Sequence, residues 1–128
     1  MPTLVLIRHA KAEPHNVSDL ARVLTPRGRT DAARLQGWLL ERELVSDRVV
    51  LSPAERTRET WQVASPAPSD VVEDPRIYEG GSSDLRAVIA EAPADVEVLA
   101  VVGHNPTVEQ LLAELVPGAQ GMSTCDAA

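Results

Sequence analysis

The chain has 128 residues, 44% hydrophobic and 24% charged, a balance that predicts one globular domain spanning residues 1–128 and excludes a disordered chain. With no Phe, one Tyr and two Trp, its core must be aliphatic, and it offers no aromatic platform for stacking single-stranded nucleic acid. A net charge of −7, with Lys11 the sole lysine among the basic residues, argues against nucleic acid and anionic membrane as partners.

Thr3 to Ile7 reads as a first strand, apolar on both faces, yet it runs straight into Arg8 and His9. "AKAEPHNVSDLARVL" is a long polar connection with no regular period. A helix then starts at "TPRGRT", with Thr25 as N-cap and Pro26 in the first turn, and Ala32, Leu35, Trp38 and Leu39 on one stripe. "RVVLS", Arg48 to Ser52, is a second strand, followed by Pro53 and a helix in "AERTRETWQVA". The proline-rich "SPAPSD" ends that helix. "VVEDPRIYEGGSS" holds a short strand, a break at Pro75 and a loop at Gly80 and Gly81. Asp84 to Ala92 is the next helix. Val98 to Val102 is the strongest strand, and Val108, Leu111, Leu112 and Leu115 mark a last helix.

Strands alternating with helices, and apolar on both faces, specify an α/β three-layer sandwich: a mainly parallel sheet with helices on both sides. No stretch is long and apolar enough to span a membrane, no leader is visible, and Cys125 alone cannot form an intrachain disulfide. A cytoplasmic location is the expectation.

Ligands of open parallel sheets bind outside the carboxyl ends of the strands. Here those ends read "RHA", "SPAERTRET" and "GHNP". If the three strands are neighbours, Arg8, His9, Arg56 and His104 converge. Two guanidiniums around a small site specify an anion whose oxygens match their fork, and a neutral imidazole beside them is a nucleophile. Taken singly, each piece has a plainer reading. An Arg-His pair decorates a surface, Arg56 and Arg58 pair with Glu55 or Glu59, and "GHN" makes a turn. The scattered histidines His9, His15 and His104 lack the spacing of a metal site.

"LVLIRHAKAE", "LTPRG", "LSPAERTRETW" and "VVGHNPTVEQLL", in this order over nearly the whole chain, resemble the histidine phosphatase superfamily in its phosphoglycerate-mutase-like branch. Within it the small SixA-type phosphohistidine phosphatases are most similar. The resemblance implies that His9 is the nucleophile, forming a phosphohistidine intermediate, and that Arg8, Arg56 and His104 bind the phosphoryl oxygens. It implies no cofactor and no metal, since arginine supplies the positive charge. Arg22 matches a position where relatives carry an arginine, either contacting substrate or pairing with Asp19. Asn105 either donates into the pocket or caps the following helix. Glu79, before Gly-Gly, is the candidate general acid. Relatives run on past "MSTCDAA" into a further strand, so the sheet is expected to lack the family's last strand, and an unpaired edge invites association.

The expected substrate is phosphohistidine on a partner protein. The alternatives are a small-molecule phosphomonoesterase acting on a small phosphate ester, and a phosphate-binding regulatory module without turnover.

Overall fold

The structure, a computed structural model, describes residues 3–14, 18–65 and 70–115. His15, the middle of "SPAPSD" and the "MSTCDAA" tail with Cys125 lie outside the described residues. Nine main elements follow in chain order: β1 (Thr3–Arg8), α1 (Pro26–Glu41), β2 (Arg48–Leu51), α2 (Glu55–Ala64), β3 (Asp70–Glu73), α3 (Pro75–Glu79), α4 (Ser82–Ala90), β4 (Val98–Gly103) and α5 (Thr107–Leu115). Among the described residues a 3-10 turn, Asp19–Ala21, lies in the polar connection after β1.

The four strands form one wholly parallel sheet in the order β1-β4-β2-β3. β4 therefore lies between β1 and β2. The three strands whose ends carry the motifs are direct neighbours.

Alternate residues of the strands feed two cores, as the two-residue period of a strand requires. Val5, Ile7, Val49, Leu51, Ala100 and Val102 pack with Ala32, Leu35 and Leu39 of α1 and Trp61 and Ala64 of α2. Leu6, Val50, Leu99 and Val101 pack on the other side with Ile77 of α3, Leu85 and Val88 of α4, and Val108 and Leu111 of α5. This is the three-layer sandwich. The path out from β1 to β3 runs over one face, and the return to β4 runs over the other.

Local chemistry sets the helix starts. Thr25 accepts from the Gly28 N–H at 2.9 Å, and Pro26 takes the position where no donor is needed. Gly28 is required by packing, since a Cβ there would collide with the carbonyl oxygen of Lys11. Pro75 corrects the expectation of a break. Asp74 accepts from the Arg76 N–H at 3.0 Å, and Pro75 opens α3 at its first position instead of ending structure. α4 also begins two residues earlier than its apolar stripe suggests, because Asp84 reaches back to the Gly81 N–H at 3.0 Å.

Candidate active site

The sheet register brings the three strand ends level. Arg8 pairs with Gly103, and Leu51 with Val102. Beyond the strands the pairing continues by one bond on each side: the His9 N–H donates to Gly103 O at 3.1 Å and the Ser52 N–H to Val102 O at 3.2 Å. Arg8, His9, Ser52 and His104 therefore emerge side by side at one edge of the sheet.

His9 is half-buried, and its Nδ1 lies 2.7 Å from Ala10 O. A carbonyl can only accept, so Nδ1 carries the proton and the lone pair is left on Nε2. Burial, outweighing that hydrogen bond, lowers the His9 pKa to about 4, with the charges of Arg56, Arg8 and Arg22 adding to the effect. At neutral pH the ring is uncharged.

His104 lies 5.2 Å from His9 between ring centroids, at 61°. Its Nδ1 faces an Nη of Arg56 at 3.4 Å and its Nε2 is 2.8 Å from Ser52 Oγ. A guanidinium only donates, so Nδ1 accepts and the Nε2–H is given to Ser52. Burial again lowers this ring's pKa, to about 3, with His9 and Arg56 contributing.

Arg56 is 6% exposed, on the first turn of α2. One Nη donates to Asp19 O at 2.7 Å and the other to Asp19 Oδ2 at 3.0 Å. Its Nε is buried with no hydrogen-bond partner among the described residues. Arg58, two residues on, turns outward and forms paired 2.7 Å bonds to Glu73 with a longer one to Glu55. The two arginines of "ERTRE" thus divide, one into the site and one onto the surface.

Arg22 donates to Asp19 Oδ1 at 3.1 Å and to Glu13 O at 2.7 Å. The pairing with Asp19 is the one made, and its charge still reaches His9. Asn105 Oδ1 accepts from the Glu109 N–H at 3.2 Å, which is the capping arrangement. Glu79 is exposed at the end of α3. The residue of that helix that enters the site is its neighbour Tyr78, whose hydroxyl donates to Asp19 Oδ2 at 2.6 Å and whose ring meets His104 edge-on at 5.6 Å. The Glu79 charge is a minor influence raising the Tyr78 pKa.

Sequence reasoning missed Asp19 as a site residue, considering it only as a partner for Arg22. It also missed Tyr78, Ser52 and Thr60. Ser52 and Thr60 stand inside the quoted motif "LSPAERTRETW", so their signal was present. Asp19 and Tyr78 had none, because 59 positions separate them and only folding brings them together. Hydrogen bonds from Tyr78, Arg22 and Arg56 hold the Asp19 carboxyl far below the usual carboxylate range, so it stays ionised and cannot serve as an acid near neutrality.

Among the described residues no three His, Cys, Asp or Glu side chains cluster as metal ligands would, and no helix is long and apolar enough to cross a membrane. The donor set suits an oxyanion: two guanidiniums, one buried Nε–H and the first turn of α2.

Residues 4–96 match the histidine phosphatase superfamily (branch 1). The uncharacterised protein Rv1276c of Mycobacterium tuberculosis is 36% identical over 107 residues, 82% of this chain and 66% of its own length. Phosphohistidine phosphatase SixA of Escherichia coli is 31% identical over 121 residues, 88% of this chain and 73% of its own. The solved structure of the protein histidine phosphatase SixA complexed with tungstate overlays with a TM-score of 0.82 at 27% identity, covering 94% of this chain and 81% of that one. The chain thus spans just under two thirds of the mycobacterial relative. With three motif-bearing strand ends level at one sheet edge and most of its length matched, the chain belongs to the histidine phosphatase superfamily, branch 1.

Proposed function

We propose that this chain is a phosphatase that takes a phosphoryl group onto His9 Nε2 and passes it to water, and that its substrate is phosphohistidine on a partner protein. One observation carries the reading. A neutral imidazole, its Nδ1 proton committed to Ala10 O, stands among arginines near enough to depress its pKa. Such a ring keeps a nucleophilic lone pair, and the guanidiniums match the charge that spreads over phosphoryl oxygens during transfer. The buried Nε–H of Arg56 is a further donor that a phosphoryl oxygen would satisfy.

In the first step the Nε2 lone pair forms a bond to phosphorus as the P–N bond of the substrate breaks. The departing imidazole leaves neutral, because the other nitrogen of the substrate ring carries a proton. In the second step water attacks phosphorus, the bond to His9 breaks, and the water's proton passes to solvent. Arg8 and Arg56 hold the phosphoryl oxygens in both steps. His104, kept in place by Ser52, completes the wall of the pocket.

A leaving imidazole needs no strong general acid, which suits a site whose Asp19 is ionised and whose Glu79 is exposed at the end of α3. Residues 53–96 are spent largely on α2, β3, α3 and α4, which leaves little chain to cap the strand ends around a small substrate. The name of the Escherichia coli relative points the same way. A cytoplasmic setting, where such phosphoproteins are used, is part of this reading.

The test combines labelling with a substrate panel. A phosphodonor should label wild-type protein in an acid-labile bond, and His9→Ala should abolish both label and turnover while remaining folded. Label that survives acid, or an active His9→Ala, would overturn the nucleophile. Phosphohistidine protein should be hydrolysed well and sugar phosphates poorly, with little effect of Glu79→Gln. Efficient sugar-phosphate hydrolysis that drops roughly 10²–10⁴-fold in Glu79→Gln would instead make this a small-molecule phosphomonoesterase with Glu79 as its acid.

A further inference from the structure

The backbone that carries His9 is pinned at three successive points. The His9 N–H bonds to Gly103 O at 3.1 Å, the Ala10 N–H to Thr60 Oγ1 at 3.0 Å, and Lys11 O accepts from the Thr25 N–H at 2.9 Å. The first and last are backbone bonds. Only the middle one depends on a side chain.

Thr60 is 0% exposed and lies on α2, one turn after Arg56. Its hydroxyl is 2.6 Å from Arg56 O, and a carbonyl accepts, so the hydroxyl proton goes there. The same oxygen then accepts from Ala10. One atom therefore ties the turn that presents Arg56 to the residue whose carbonyl holds the His9 Nδ1 proton.

We propose that Thr60 is a positioning residue: by fixing Ala10 it keeps the His9 proton on Nδ1 and so decides that Nε2 receives the phosphoryl group. This rests on the reading of His9 as nucleophile. Without the Thr60 hydroxyl the buried Ala10 N–H would lack its partner, and the Ala10 peptides could turn. Ala10 O would then leave Nδ1, and the ring could exchange tautomers and swing away from the position level with Arg8 and Arg56. A displacement of about 1 Å at a reacting atom costs of the order of 10²-fold in rate.

The experiment compares wild type with Thr60→Val, which keeps the shape and removes both bonds, and Thr60→Ser, which restores the hydroxyl. Ring ¹⁵N shifts of His9 are read in each, together with the rate of phosphoenzyme formation from a small phosphodonor such as phosphoramidate. Wild type and Thr60→Ser should show the Nδ1–H tautomer. Thr60→Val should show a mixture, with phosphorylation slowed about 10–100-fold. A Thr60→Val protein that is merely less stable, with tautomer and rate unchanged, would overturn the proposal. Should Thr60→Val not fold, Thr60→Cys, which lacks the methyl group and is a weaker acceptor, is read in the same way against Thr60→Ser. A wild type that is never phosphorylated on His9 would refute the functional reading, while the tautomer comparison would still decide the role of Thr60.

Discussion

Arg56 has two kinds of neighbour, and they are built differently. On its inner side lie Ser52, Thr57, Thr60 and Ala10, all fully buried and joined by neutral hydrogen bonds to backbone atoms. On its outer side lie Asp19, Arg22 and Tyr78, half-buried and joined by charged bonds to side chains. The inner wall is built on α2 and its approach and bonds across about 50 positions to Ala10 and to His104, beside which His9 is presented. The outer strap reaches across the fold and fixes where the Arg56 guanidinium points. Neutral buried bonds give rigid placement, whereas half-buried charged bonds are more open to exchange with a competing anion. Asp19 meets the Arg56 guanidinium with its backbone carbonyl on one Nη and a single carboxylate oxygen on the other.

Breaking the residue that both regions share should have the largest effect. Arg56→Ala is expected to lower kcat/KM roughly 10²–10³-fold, the usual cost of one transition-state donor, and to abolish binding of tungstate. A variant that binds tungstate and turns over normally would remove Arg56 from the site.

The second prediction isolates the inner wall through its two histidines. The folded rings should titrate near 4 for His9 and 3 for His104 by NMR, against 6.5 when unfolded. Between those values the unfolded chain binds more protons than the folded one, so lowering the pH favours unfolding. Their contribution to stability should be complete above 6.5 and be lost as the pH falls through 4 towards 3, which urea unfolding at several pH values will measure. Midpoints near 6.5 for both rings would show that the wall does not bury them.

The smallest effect sharpens the strap. Tyr78 is the only tyrosine, so its ionisation can be followed by ultraviolet absorbance without interference. Its hydrogen bond to Asp19 raises its pKa above the ordinary value of 10, and Asp19→Asn should bring it back down. The fold should be unaffected, since Asp19 lies on a short turn outside both cores. No change in the titration would mean that the strap is not closed in solution.

The order of the strands and of every helix but α3, the parallel sheet with both faces covered, and the meeting of Arg8, His9, Arg56 and His104 at its edge are legible in the chain. Apolar runs fix which segments are buried, and polar residues placed directly after such runs have only the sheet edge to occupy. The helix at Pro75 was misread because a proline both ends and begins helices, and the difference lay in the Asp74 cap. Arg22 and Asn105 each carried two readings in sequence, and geometry selected the pairing with Asp19 for one and the cap for the other. Which ring nitrogen of His9 holds the proton, and that Tyr78 bonds to Asp19 and meets His104, were decided only by the tertiary structure. Those outcomes depend on the direction of single hydrogen bonds, one between neighbours and one across 59 positions, and no local pattern of burial or charge encodes a direction.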